Sequence, residues 1–360
     1  MRLLLAGGGT GGHLFPAVAL AQLLLAQDKT AAVQFVGTEK GLEARLLPKL
    51  GLPLRFVAMA GVVGRGWRGK LELLPRLLKS IVQAKAIFSD FRPDLVIGVG
   101  GYASVPVLLL AKLQGIPYLI HEQNAIPGLS NKLLGRWAQR ICLSFPQTGA
   151  GFAGEKTLVT GNPLRPGLEQ IAVQLPQAGK LLIFGGSRGA RAINQAVMQM
   201  LPLLNDWPQC PELLHQTGEA DFAEVQQAYV AAGFDPQQVV PFIDDMPSDY
   251  AASKLVICRA GATTLAELTV CGRPAVLIPF PFASGDHQTA NARLLVAAGA
   301  AKLLPQGELS PDRLLATIKE LFTDQGRLQQ MAEQGRSLGQ VGAAEKILHE
   351  CRRLLGAPTL

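Results

Sequence analysis

The sequence predicts an α/β protein of two Rossmann-like domains, and three observations predict it. Short apolar runs alternate with longer helical patterns along most of the 360 residues, the mark of parallel sheets layered with helices. The alternation runs twice, interrupted by the turn-rich Gly161-Asn162-Pro163-Leu164-Arg165-Pro166-Gly167. Each series opens with a strand that runs into a glycine loop, at residues 7–12 in the first and 185–189 in the second. A chain of this length buries roughly three quarters of its unfolded surface, so a core forms without disulfide or metal support.

Taken in order, the first series predicts strands at 3–6, 33–36, 55–58, 95–99, 118–121 and 140–143, each ended by glycine, proline or polar turn residues. The second series predicts strands at 180–184, 212–215, 239–242, 255–258 and 275–278, and beyond about 309 the pattern is helical only. The expected organisation is a domain over 1–160, a hinge at 161–167, a second domain over 168–338 and a closing helical stretch over 339–360.

Composition excludes several classes. Hydrophobic residues at 48% and charged residues at 17% rule out a disordered chain. Five scattered cysteines without a CxxC pair argue against a disulfide framework or a thiolate zinc site and point to a reducing cytoplasm. The apolar run at 3–6 is too short for the core of a signal peptide, and no stretch approaches the ~20 apolar residues that cross a bilayer. Aromatic residues at 6% are thin for stacking bases, so no nucleic-acid partner is expected.

Charge is unevenly spread. Residues 1–160 hold 18 Lys and Arg against 8 Asp and Glu, while residues 161–360 hold 16 against 19. The first half therefore faces something anionic. Its densest basic stretch, Arg65-Gly66-Trp67-Arg68-Gly69-Lys70, precedes a segment in which Leu74, Leu77, Leu78, Ile81, Val82 and Phe88 mix with Arg76, Lys79 and Lys85. Such a segment either lies on an anionic membrane surface or packs its leucines on the sheet, and the two roles are compatible.

Three glycine loops end strands: Gly7-Gly8-Gly9-Thr10-Gly11-Gly12-His13, Gly98-Val99-Gly100-Gly101-Tyr102 and Gly185-Gly186-Ser187-Arg188-Gly189. Glycine lets backbone approach a ligand, and a following helix start offers free N–H groups to an anion. None carries the GK[ST] of a P-loop. Gly7, Gly9 and Gly12 also fit the dinucleotide spacing, with Glu39 as the ribose acid, so a nicotinamide dehydrogenase is a competing reading. His13 sits in the first loop, and His121 ends a strand within His121-Glu122-Gln123-Asn124. No HxxxH, HExxH or DxD pattern occurs, so no metal site and no cofactor are expected.

Together these motifs resemble the MurG family, the bacterial N-acetylglucosaminyltransferases of peptidoglycan precursor synthesis. The resemblance is carried by Gly8-Gly9-Thr10-Gly11-Gly12-His13, Gly100-Gly101-Tyr102, His121-Glu122-Gln123-Asn124, Gly161-Asn162-Pro163-Leu164-Arg165, Gly185-Gly186-Ser187-Arg188-Gly189-Ala190, Phe242-Ile243-Asp244-Asp245-Met246, Cys258-Arg259-Ala260-Gly261-Ala262-Thr263-Thr264-Leu265-Ala266-Glu267 and Asp286-His287-Gln288-Thr289-Ala290-Asn291. It implies a GT-B fold, with two Rossmann-like domains facing across a cleft and a C-terminal helix returning to the N-terminal domain. It also implies transfer of N-acetylglucosamine from UDP-N-acetylglucosamine to a lipid-linked N-acetylmuramoyl-pentapeptide, converting lipid I to lipid II without a metal.

On the donor side the resemblance implies Ser187 at the diphosphate, Ile243 at uracil through its backbone, Ala262, Thr263, Thr264, Leu265, Ala266 and Glu267 around the nucleotide, and Gln288 at the sugar. Glu267 suits the two ribose hydroxyls, since a carboxylate accepts two hydrogen bonds at once. Thr10, Gly11, Gly12, Asn124 and Arg165 would line the donor from the other domain, with Gly100, Gly101 and Tyr102 on the acceptor side. His13 is the leading candidate base, with His121 and Glu122 as an alternative base or as groups that orient it. The implied partners are UDP-N-acetylglucosamine, an undecaprenyl-diphosphate acceptor, an anionic membrane surface and cell-wall synthesis proteins, at the cytoplasmic face of the plasma membrane. A different UDP-sugar enzyme or a membrane-docking scaffold would each explain only part of these blocks.

Overall fold

The computed structural model describes residues 1–59, 73–152 and 154–356. The chain divides into two compact units, Met1–Arg165 together with the stretch from Gln340 onward, and Pro166–Gly339.

The first unit runs β1 (Arg2–Ala6), α1 (Gly11–Gln27), β2 (Ala32–Gly37), α2 (Glu43–Leu46), β3 (Leu54–Phe56), α3 (Leu73–Phe91), β4 (Leu95–Gly98), α4 (Ser104–Leu113), β5 (Tyr118–Glu122), α5 (Leu129–Leu134), β6 (Arg140–Leu143) and β7 (Thr157–Val159). Its strands pair in parallel in the order β3-β2-β1-β4-β5-β6-β7. Strand side chains alternate faces, so Leu3 and Leu5 pack with Leu14, Val18 and Leu24 of α1, whereas Leu4 and Ala6 pack with Ala84, Ile87 and Phe88 of α3 and Val107 and Leu108 of α4. Helices cover both faces, which is why the strands read as continuous apolar runs. The C-terminal helix, Ala343–Leu354, joins the α1 face through Ile347, Leu348 and Cys351. An ion pair at 3.1 Å between Arg140 and Glu350 ties it to β6.

Helix α3 divides its apolar stripe along its length. Ala84, Ile87 and Phe88 are core, while Leu74, Leu78 and Val82 are 63%, 57% and 69% exposed. The basic stretch at 65–70 lies outside the described residues.

The second unit runs β8 (Lys180–Phe184), α6 (Arg191–Leu204), β9 (Leu213–Gln216), α7 (Phe222–Ala231), β10 (Val239–Val240), α8 (Met246–Ala252), β11 (Ser253–Cys258), α9 (Ala262–Cys271), β12 (Ala275–Leu277), α10 (His287–Ala297), β13 (Ala301–Leu303), α11 (Pro311–Thr323) and α12 (Gln325–Leu338). The parallel order is β10-β9-β8-β11-β12-β13. Leu181, Ile183, Leu255 and Ile257 meet Ile193, Val197 and Met200 of α6 in its core.

The structure adds two strands that the periodicity does not announce, β7 and β13. Each is an edge strand of three residues, too short to show an alternation. Strand β10 is shorter than expected because Pro241 follows Val240 and has no N–H to continue the ladder.

Both sheets reverse direction once. In the first, the chain steps from β1 outward through β2 and then lays β4 on the other side of β1; in the second, β8 and β11 have the same relation. Ligands of open parallel sheets bind outside the strand C-termini at such a reversal. The glycine loops fall there.

Candidate active site

In the first unit the loops after β1 and β4 meet backbone to backbone. A Cβ on Gly7 would lie 2.4 Å from the Gly100 carbonyl oxygen, and one on Gly101 2.8 Å from that of Gly8. Gly7, Gly8, Gly9, Gly100 and Gly101 all have positive φ, which disfavours side chains, and at Gly7 and Gly101 the backbone approach excludes them as well. Helix α1 starts directly after, and Thr10 at its N-cap makes no side-chain cap hydrogen bond.

His13 is half-buried on the first turn of α1. Its Nδ1 is 3.3 Å from the Gly8 carbonyl and 3.3 Å from Thr10 Oγ1. Its Cδ2 and Nε2 lie over Gly100, each 3.2 Å from where a Cβ would be. The same position is 3.5 Å from Asn131 Nδ2. Arg165 reaches this loop by stacking its guanidinium 5.0 Å from the ring of Phe15, which itself covers Gly11.

His121 and Glu122 are each 1% exposed. His121 Nε2 is 3.1 Å from the Gly161 carbonyl and its Nδ1 is 3.1 Å from Gln123 Nε2. Burial pushes this imidazole down to about 4. Glu122 accepts from Asn124 N at 3.0 Å, Asn124 Nδ2 at 3.3 Å, Gly128 N at 2.9 Å and Asn131 Nδ2 at 2.9 Å. An enclosed imidazole and a carboxylate engaged by four donors are suited to shaping the 123–131 segment. Asn124 owes its position to Glu122, and Thr148 Oγ1 fixes its carbonyl at 2.9 Å.

Sequence reasoning missed two residues here. Asn131 links Glu122 to the Gly100 loop, and nothing local in the sequence marks it. Glu43, on the first turn of α2 and 1% exposed, accepts from Gly9 N at 2.8 Å, Thr38 N at 2.8 Å and Thr38 Oγ1 at 3.1 Å. Its signal was the glycine set at 8, 37 and 41, which leaves room for the carboxylate. Glu43 also weighs against the dinucleotide reading. The Gly9 amide that a pyrophosphate would want is turned onto a carboxylate, and Glu39 is exposed past the end of β2.

In the second unit the loops after β8, β11 and β12 lie side by side at strand C-termini. The 185–189 loop is locked by a Gly189 N to Gly186 O turn at 2.8 Å. It also crosses the 217–218 backbone so closely that a Cβ on Gly189 would sit 1.8 Å from the Thr217 carbonyl oxygen. Ser187 and Arg188 are exposed at its tip. Behind it, Asn194 donates to the Thr217 carbonyl at 3.0 Å and to Asp221 at 2.8 Å, and its Oδ1 is 3.1 Å from Nε2 of the buried His215. Burial pushes His215 down to about 3.

Helix α9 begins after Gly261, beside that loop, and presents Ala262, Thr263 and Thr264 at its start. Leu265 is fully buried, so of the expected 262–267 block its share is limited to backbone; Ala266 is half-buried. Glu267 is 3% exposed and its Oε2 accepts from Tyr250 Oη at 3.1 Å, a partner the sequence reading did not single out. Ile243 is buried between β10 and α8, which leaves its backbone as the group able to read a base. Gln288 on α10 uses its amide oxygen to hold Phe280 N at 2.9 Å, and Asn291 is buried against the Ala260 carbonyl at 3.3 Å. Tyr102 is half-buried beside Gly101.

Two doubly wound units with glycine-lined reversals have the architecture of the GT-B class. Residues 3–143 match the glycosyltransferase family 28 N-terminal domain and residues 180–347 the family 28 C-terminal domain. The chain is 53% identical, over 99% of both chains, to the UDP-N-acetylglucosamine--N-acetylmuramyl-(pentapeptide) pyrophosphoryl-undecaprenol N-acetylglucosamine transferase of Syntrophotalea carbinolica. It is 46% identical, again over 99% of both, to the protein of that name from Syntrophus aciditrophicus. The crystal structure of Acinetobacter baumannii MurG, 33% identical, matches with a TM-score of 0.76 over 98% of this chain and 99% of that one. S. aureus MnaA with UDP matches at 0.70 with 15% identity, covering 100% of this chain and 98% of that one, a likeness of fold alone. The chain belongs to the MurG family of glycosyltransferase family 28.

Proposed function

We infer that this chain transfers N-acetylglucosamine from UDP-N-acetylglucosamine to the C4 hydroxyl of a lipid-diphosphate-linked N-acetylmuramoyl-pentapeptide, the lipid I to lipid II step of peptidoglycan synthesis. One observation carries the chemistry. The two sheet reversals hold complementary groups, an imidazole on a glycine loop in one unit and a buried carboxylate beside an exposed-serine loop in the other.

Glu267 accepts the ribose hydroxyls, Ile243 meets the base through backbone, and Ser187 with the α6 start takes the diphosphate. Gln288 meets the sugar. His13 takes the proton from the attacking hydroxyl through Nε2; the oxygen bonds to the anomeric carbon as the bond to UDP breaks, which inverts the anomer. Charge developing on the departing diphosphate is stabilised by the helix starts at α6 and α9. Calorimetry tests the donor half: UDP-N-acetylglucosamine should bind more tightly than UDP-galactose, and Glu267→Ala should weaken it. Equal affinities and an inert substitution would overturn the assignment.

No helix among the described residues is long and apolar enough to cross a membrane. The exposed Leu74, Leu78 and Val82 beside Lys79 and Lys85 support a surface that rests on an anionic bilayer, where the acceptor's lipid is anchored. Replacing the three apolar residues with serine should release the protein from anionic vesicles without changing UDP binding. Undiminished vesicle binding would remove α3 from that role.

A further inference from the structure

The peptide group joining Gly8 to Gly9 has a partner at each end. Its N–H donates to Glu43 Oε2 at 2.8 Å, and its carbonyl faces His13 Nδ1 at 3.3 Å. A trans peptide points these two groups in opposite directions, so one planar unit lies between a carboxylate and an imidazole. We propose that Glu43 is a positioning residue for His13, acting through the Gly8–Gly9 peptide to hold the imidazole in the tautomer that carries its proton on Nδ1 and not on Nε2.

Three features support this. A carboxylate is costly to bury, yet Glu43 is 1% exposed and its three hydrogen bonds, to Gly9 N, Thr38 N and Thr38 Oγ1, come from neutral donors. The surroundings are cut to fit it: a Cβ on Gly8, Gly37 or Gly41 would lie 2.5, 2.5 and 2.1 Å from Glu43 side-chain atoms. A carboxylate on the N–H polarises the peptide and strengthens its carbonyl as an acceptor, since hydrogen bonds in series reinforce one another. That carbonyl, which can only accept, then selects a protonated Nδ1 and directs Nε2 over Gly100, while the Thr10 hydroxyl at 3.3 Å can pair with Nδ1 in either tautomer. The role parallels that of a carboxylate in a catalytic triad, which orients the imidazole and sets its tautomer. Here a peptide is interposed.

The inference rests on His13 as the base, and the experiment separates the two ideas. Protein labelled with 15N-histidine reports the His13 tautomer by nuclear magnetic resonance without any turnover. The wild type should show Nδ1–H, and Glu43→Gln should shift His13 toward Nε2–H, because an amide cannot accept from both Gly9 N and Thr38 N in the same way. Turnover of Glu43→Gln should fall about 10- to 100-fold, the size known for groups that orient metal-ligating histidines, with affinity for UDP-N-acetylglucosamine unchanged. In a His13→Ala background the Glu43→Gln change should add no further loss. Should Glu43→Gln fold poorly, Gly41→Ala displaces the carboxylate while keeping it, and should give the same tautomer shift.

An unchanged tautomer in both variants, or losses that multiply in the double variant, would overturn the relay. Full turnover in His13→Ala would overturn the base assignment, while the tautomer spectra would still decide the Glu43 contact.

Discussion

Tyr250→Phe isolates one atom beside the proposed donor site. The Tyr250 side chain is fully buried, its ring packs edge-on to Phe184 with centroids 6.2 Å apart, and its hydroxyl donates to Glu267 Oε2 at 3.1 Å. Phenylalanine keeps the ring and deletes the hydrogen bond. A bond to a charged acceptor contributes about 1.5–3 kcal/mol, which bounds the total effect. That total divides between fold stability and ligand affinity, because Glu267 loses a partner in both states. Assigning about half to affinity gives roughly 0.75–1.5 kcal/mol, about a 4- to 12-fold weaker Kd for UDP. Isothermal calorimetry measures this directly, and thermal denaturation checks that the fold survives. A ligand without ribose hydroxyls, 2′,3′-dideoxy-UDP, supplies the control, since its weaker affinity should be nearly the same in both proteins. A folded Tyr250→Phe protein with unchanged UDP affinity, or an equal loss for the dideoxy ligand, would refute the link from Tyr250 through Glu267 to ribose.

Three further outcomes are expected. His13→Ala should lower kcat by about two to four orders of magnitude, the size of general-base loss, with donor affinity little changed in calorimetry. Gly189→Ala should destabilise the protein by more than about 2 kcal/mol in urea denaturation and weaken UDP binding, since φ is +73° and the added Cβ would meet the Thr217 carbonyl oxygen at 1.8 Å. Acid should also destabilise the fold through its buried histidines. His121 at about 4 and His215 at about 3 stay neutral when folded, whereas the unfolded chain takes up protons near pH 6.5. Their stabilisation is therefore complete above about pH 6.5 and lost as pH falls toward those values, about 2 kcal/mol for each by pH 5. Calorimetric scans between pH 7 and 5 should show a falling Tm, with a shallower slope in His215→Gln.

Much of the fold is legible in the sequence because buried parallel strands announce themselves. The run Leu3-Leu4-Leu5-Ala6 is apolar on both faces and coincides with a strand packed on both. Edge strands such as β13 carry half-exposed residues and little pattern. The glycine loops are legible for a related reason, since each marks a backbone approach that no side chain permits, as at Gly7 against Gly100. What stays hidden depends on distance along the chain. Glu43 meets Gly9 from 34 residues away, and Tyr250 meets Glu267 from 17, and no local spacing encodes either. For His121 and Glu122 the sequence shows two ionisable groups and hides their burial at the end of β5, which depends on strands and loops distant along the chain.

The transfer reaction itself tests the central reading most directly. Purified protein, UDP-N-acetylglucosamine labelled in the sugar and a lipid-diphosphate N-acetylmuramoyl-pentapeptide are combined, and the linkage in the lipid product is determined by nuclear magnetic resonance. The account predicts a labelled disaccharide joined β-1,4, with one UDP released per sugar transferred. Label remaining on the nucleotide, label released as free sugar, or an α linkage would contradict it.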